Sequence, residues 1–145
     1  MNIRVVYHSG YKGNTMKVAA AIAEALNVKA ERIGKNKIEF SEPVELLFIG
    51  SGVYFDNPHK KASALIKAIS PAIVKNAVAF GTYGNQSNIG VQITKLLQEQ
   101  GINVLGEPFV CKGASVGTDN KRHPNGEDLE NAKDFANNII LKLQL

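Results

Sequence analysis

The stretch Ile3-Arg4-Val5-Val6-Tyr7-His8-Ser9-Gly10-Tyr11-Lys12-Gly13-Asn14-Thr15 decides the fold. Its first five residues form a short apolar run rich in branched side chains, which favours a buried β-strand. Ser9-Gly10 then supplies a turn. Beyond Asn14 the period changes: Met16, Ala19, Ile22, Ala23 and Leu26 share one helical face, and Lys17, Glu24 and Asn27 lie on the other. Strand, glycine loop and helix therefore follow one another directly.

The same unit recurs along the chain. Lys29 to Ile33 reads as a short second strand, whereas Gly34 to Pro43 is polar and predicts at most an abbreviated second helix. Glu45 to Ile49 is a third strand ending at Gly50-Ser51-Gly52, and Asn57-Pro58 supplies a cap and a favoured first residue for a helix carrying Ala62, Leu65, Ile66 and Ile69. Ala77 to Phe80 is a fourth strand ending at Gly81, followed by a helix marked by Ile89, Ile93, Leu96 and Leu97 that Gly101 stops. A fifth strand, Asn103 to Cys111, is broken by Gly106 and Pro108. After a long loop, Lys112 to Gly126, comes a closing helix marked by Leu129, Ala132, Phe135, Ala136, Ile139 and Leu143. Continuous apolar strands alternating with helices imply a doubly wound, mainly parallel α/β sheet covered on both faces.

The composition agrees with one domain over residues 1–145. Apolar residues make up 44% and charged residues 21%, the balance of a folded chain, and no apolar run reaches the roughly 18 residues of a bilayer span. The short apolar start does not read as a signal peptide, and the expected location is the cytoplasm. Cys111 is the single cysteine, so no internal disulfide forms, and a small buried side chain is its simplest role. The net charge of +4 comes from scattered lysines with no basic block interleaved with aromatics, which gives no nucleic-acid signature. His8, His59 and His123 lack metal-ligand spacing, and Asn125 with Asp128 three residues on reads as a helix cap.

Ligands of such sheets bind at the carboxyl ends of the strands. Three glycine loops leave those ends. The first, His8 to Thr15, combines small residues and hydroxyls with a helix start, where unsatisfied N–H groups and the positive end of the helix dipole hold phosphate. It has neither the G-x-x-x-x-G-K-[ST] of a nucleotide-hydrolysing loop nor the G-x-G-x-x-G of a dinucleotide fold. The second, Gly50 to Asn57, puts Tyr54 and Phe55 where an aromatic face can stack on a flat ring. The third, Gly81 to Asn88, offers polar groups to a ring edge.

With Tyr7-His8-Ser9, Gly13-Asn14-Thr15, Gly50-Ser51-Gly52-Val53-Tyr54, Phe80-Gly81-Thr82-Tyr83-Gly84, Cys111-Lys112-Gly113 and His123-Pro124-Asn125 in this order, the chain resembles the flavodoxin family over nearly its whole length. The resemblance implies a five-stranded parallel sheet of order 2-1-3-4-5 in the short-chain form, flavin mononucleotide (FMN) as cofactor, and electron transfer as function. It implies that Ser9, Tyr11, Lys12, Gly13, Asn14 and Thr15 surround the phosphate. Ser51, Gly52, Val53, Tyr54 and Phe55 would border the ring, Tyr54 stacking on it, and Gly81, Thr82, Tyr83, Gly84 and Asn85 would complete the pocket. Redox proteins are the implied partners, acidic ones suiting the basic chain, where many flavodoxins are acidic. Phe55 departs from a glycine common in the family, and a bulky residue resists positive φ. Two alternatives accompany this reading: an FMN-dependent quinone or porphyrinogen oxidoreductase, and a flavin-free interaction domain of the same fold.

Overall fold

The computed structural model describes residues 1–34, 37–115, 118 and 120–144. Its elements in chain order are β1 (Ile3–Tyr7), α1 (Asn14–Leu26), β2 (Ala30–Arg32), β3 (Leu46–Ser51), β4 (Val53–Tyr54), β5 (Asn57–Pro58), α2 (Lys60–Lys67), β6 (Asn76–Tyr83), α3 (Ile89–Glu99), β7 (Asn103–Val104), β8 (Phe109–Lys112) and α4 (Gly126–Gln144). The main sheet runs β2-β1-β3-β6, with β7 and β8 both beside β6, and every pairing in it is parallel. Counting β7 and β8 as one strand interrupted at Gly106 and Pro108, this is the expected 2-1-3-4-5 order.

Alternation along the strands divides the core in two. Val5, Tyr7, Leu46, Phe48, Val78 and Phe80 pack with α1 and α4, while Val6, Leu47, Ile49, Ala77 and Ala79 pack with α2 and α3. Both sets are almost wholly buried, which is why the strands carry no polar face. Close strand packing needs Gly50, because a Cβ there would stand 2.3 Å from the Phe80 ring.

Two expectations need correction or refinement. Asn57-Pro58 does not start α2. It pairs antiparallel with Val53-Tyr54 across a two-residue reversal at Phe55 (φ 51°) and Asp56 (φ 65°), and the helix begins at Lys60, where His59 Nδ1 accepts the Lys61 N–H at 3.0 Å. Two successive positive φ values match the twist of paired strands, so the hairpin forms ahead of the helix. Between β2 and β3, no helix forms among the described residues. Ile38 and Phe40 instead pack on the core, and Arg4 clamps this crossover through Glu31 (Nε to Oε2, 2.9 Å) and by lying 4.6 Å over the Phe40 ring.

Candidate functional site

The parallel register brings the ends of β1, β3, β6 and β8 to one edge, where a cleft of about 230 Å³ opens. The loop after β1 forms one wall. Gly13, at φ 73°, stands just before α1, and its N–H donates to the Gly10 carbonyl at 3.1 Å. Ser9 Oγ accepts the Met16 N–H at 3.2 Å, which caps the helix from outside its first turn. Thr15 and Thr82 share a buried hydroxyl–hydroxyl bond of 2.8 Å, fastening this loop to β6. Asn14 Nδ2 donates to the Ala114 carbonyl at 2.8 Å, fastening it to the segment after β8. Asn14 Oδ1 is buried and has no partner among the described residues.

The hairpin β4–β5 forms the opposite wall. Tyr54 leans toward the first loop, so that a Cβ on Gly10 would lie 3.1 Å from its hydroxyl. Behind it, His8 and His59 stack at 3.6 Å with ring planes 9° apart, and both meet Tyr54 edge-on at 5.4 and 4.7 Å. Burial, then the charges of His59, Arg32 and Lys61, holds His8 down at about 4, and burial with Lys61 and Lys60 lowers His59. Burial raises the Tyr54 phenol. The stack is thus neutral at ordinary pH, and His8 Nδ1 is buried without a partner among the described residues. Phe55, at the hairpin tip, is 99% exposed, and Tyr11 on the other lip is 92% exposed.

Twelve of the residues singled out in the sequence line this cleft: Ser9, Tyr11, Lys12, Gly13, Asn14, Thr15, Gly52, Val53, Tyr54, Thr82, Tyr83 and Gly84. Four do not. Ser51 is fully buried, its hydroxyl accepting the His59 N–H at 3.0 Å and donating to the Gly52 carbonyl, so it shapes the hairpin from beneath. Gly81 sits inside β6, where a Cβ would stand 2.8 Å from the Ser51 carbonyl. Phe55 points to solvent, and Asn85 borders a neighbouring groove beside Lys112 that meets the cleft at Tyr83 and Gly84.

Gly10, Gly113, Ala114 and Ser115 complete the lining. Gly113 follows the last strand and was not among the expected site residues; its N–H donates to the Tyr83 carbonyl at 2.8 Å, and a Cβ there would meet Asn14 Nδ2 at 2.8 Å. Among the described residues, no group of three His, Cys, Asp or Glu side chains could hold a metal ion. No helix among them is long and apolar enough to cross a membrane. Cys111 is buried beneath the cleft edge, its thiol pushed up to about 12 by burial and by Asp128.

No family model matches the chain. Among solved structures, rubredoxin:oxygen oxidoreductase from Desulfovibrio gigas superposes with a TM-score of 0.79 at 18% identity, over 99% of this chain and 36% of its own. A flavodoxin from the domain Archaea does so at 0.70 and 19% identity, over 99% of both chains. A short-chain flavodoxin associated with a bacterial microcompartment gives 0.74 and 16%, again over 99% of both. The fold is flavodoxin-like, and the chain spans little more than a third of the D. gigas protein. Protein MJ0298 of Methanocaldococcus jannaschii, itself uncharacterized, is 34% identical over 150 residues, covering 97% of this chain and 99% of its own. On a flavodoxin-like fold, the chain therefore belongs to one family with MJ0298.

Proposed function

We propose that this chain binds FMN and serves as an electron-transfer protein. The observation that carries the reading is the convergence of three glycine loops and the N-terminus of α1 on one cleft, with small residues where a ligand backbone must approach closely. The donor set suits a flavin phosphate and its polyol chain: helix N–H groups for the anion, and the unpaired acceptor Asn14 Oδ1 for a hydroxyl. Tyr54 offers an aromatic wall for the ring. When bound, the flavin supplies the electron chemistry, while the protein orients it and sets its surroundings.

The roles left to this chain's own residues are binding and positioning. The Thr15–Thr82 bond and the Asn14–Ala114 bond hold the phosphate loop in place before ligand arrives. His8 and His59 fix the edge of Tyr54 as a neutral stack. The +4 charge suits acidic redox partners in the cytoplasm, whose association would slow as salt screens steering beyond a Debye length of about 8–10 Å.

Titration with FMN and with riboflavin tests the reading. FMN binds the more tightly, and Asn14→Ala and Thr15→Ala weaken FMN more than riboflavin. Equal affinities for the two flavins would remove the phosphate-loop role, and absence of any flavin binding would leave an interaction domain.

A further inference from the structure

We propose that the aromatic wall of the cleft is proton-linked and the phosphate lip is not: a proton taken up by the His8–His59 stack opens the support of Tyr54, so that ring binding and protonation exclude each other. The ring ligand rests on the reading above; the coupling of the stack to Tyr54 rests on its own geometry.

Three backbone segments meet in this support. His8 follows β1, and its N–H donates to the Gly50 carbonyl of β3 at 3.0 Å. His59 precedes α2, and its N–H donates to Ser51 Oγ at 3.0 Å. The two rings lie parallel at 3.6 Å, and Tyr54 of β4 stands nearly perpendicular to both, at 81° and 86°. Tyr54 is thereby held by two rings from two other segments. Taking either imidazole out of the stack removes half of that backing.

The stack has no place for a proton. An imidazolium donates from both nitrogens, whereas a neutral imidazole keeps one as an acceptor. His8 Nδ1 is buried and has no partner among the described residues, so an imidazolium there buries a charged N–H that nothing accepts. His59 Nδ1 accepts the Lys61 N–H at the start of α2, and a proton on it cancels that cap. The surrounding charges act in the same direction. Among the described residues those bearing on the two rings are Arg32, held at the end of β2 by the Ser9 carbonyl at 2.8 Å, and Lys60 and Lys61 of α2, and none is a carboxylate. Tyr54, the other titratable group against them, stays neutral because burial raises its phenol. Two cationic rings at 3.6 Å repel, so protonation proceeds through the opened stack.

The first loop carries no such group. Its bonds from Met16 to Ser9, between Thr15 and Thr82 and from Asn14 to Ala114 join amides, hydroxyls and a carbonyl, none of which titrates between about pH 7 and 4. Burial first, and then His59, Arg32 and Lys61, hold His8 down at about 4 from 6.5. The closed wall is therefore complete above about pH 6.5 and lost as pH falls through about 4. By reciprocity, a ring seated against Tyr54 lowers the His8 pKa further.

Riboflavin is the binding probe, because it carries the ring without a phosphate that titrates at about pH 6. Fluorescence titrations compare wild type with His8→Phe, which keeps a flat ring and removes the nitrogen that takes the proton. Proton NMR of the ligand-free chain follows the Tyr54 ring signals, assigned by their absence from Tyr54→Phe. At the His8 midpoint half of the chains have an open wall, so wild type loses about twofold in riboflavin affinity between about pH 7 and 4, and His8→Phe loses less than about 1.5-fold. The Tyr54 signals of wild type move with the His8 titration, and those of His8→Phe stay in place. Should the variant not fold, the wild-type signals decide alone. Tyr54 signals that ignore the His8 titration overturn the coupling, and a pH dependence of affinity that His8→Phe shares overturns the proton linkage. If riboflavin binds without pH dependence, the linkage fails and the flavin reading stands. If neither riboflavin nor FMN binds while the Tyr54 signals follow His8, the coupling stands and the flavin reading fails.

Discussion

Two turns on opposite lips of the cleft pass through positive φ, and they do so with opposite residues. Before α1 the position is Gly13, at φ 73°, where the absence of a Cβ makes the left-handed conformation inexpensive. In the hairpin the positions are Phe55 and Asp56, at 51° and 65°, and a phenylalanine there is a true outlier. The first turn brings the backbone N–H groups at the start of α1 to the cleft. The second carries a large side chain outward at 99% exposure, with no burial to offset the strain. What holds the turn is hydrogen bonding: Asn57 Nδ2 donates to the Phe55 carbonyl at 2.9 Å, and Gln92 Nε2 donates to the Asp56 carbonyl at 2.7 Å, tying the hairpin to α3.

Replacing Gly13 with Ala gives the largest effect. The left-handed residue costs about 1–2 kcal/mol, and its Cβ would stand 3.0 Å from Met16 Cε. Urea denaturation should show that loss, accompanied by weaker FMN binding. Stability equal to wild type would mean the loop relaxes easily and is not preformed. The hairpin should respond in the opposite sense: Phe55→Asn with Asp56→Gly installs residues that favour two positive φ values and raises stability by about 1 kcal/mol. A loss instead would show that Phe55 packs against the chain. Tyr54→Ala, on the same hairpin but facing the cleft, weakens FMN by about 0.5–1.5 kcal/mol while leaving riboflavin discrimination intact.

The same contrast explains what could be read from the sequence. Gly13-Asn14-Thr15 announces itself, because glycine at a strand-to-helix junction signals both the turn and the ligand it can approach. The alternation of apolar runs with helical stripes gave the doubly wound parallel class, the strand order came from the resemblance to flavodoxins, and Gly106 and Pro108 foretold the break between β7 and β8. The hairpin was hidden, since Phe55-Asp56 lacks the glycine or asparagine that marks such a turn, and Asn57-Pro58 imitates a helix start. Gly113, Ala114 and Ser115 escaped because only the β6–β8 register carries them to Asn14. The pairing of His8 with His59 joins residues on two separate loops, and no local pattern encodes it.

That histidine stack separates the two lips by pH. The first-loop lip carries the exposed Lys12, while the hairpin side rests on imidazoles whose pKa values are lowered by burial. His8 is held near 4 against about 6.5 in an unfolded chain, with burial the main cause and His59, Arg32 and Lys61 adding repulsion. A base with a lowered folded pKa binds more protons when unfolded, so its contribution is complete above about pH 6.5 and is lost as pH falls toward 4. His8→Phe keeps a flat ring beside His59 and Tyr54 but removes the titration. Denaturation between pH 7 and 4 should therefore show a shallower decline for the variant. The effect is the smallest of the four, because His8 is only half-buried and water screens its charge, and His59 retains a part of the slope. An unchanged slope would mean that the stack opens before it protonates. The hairpin wall would then be the looser lip, and Tyr54 would be placed by the ligand, with no support from the histidines behind it.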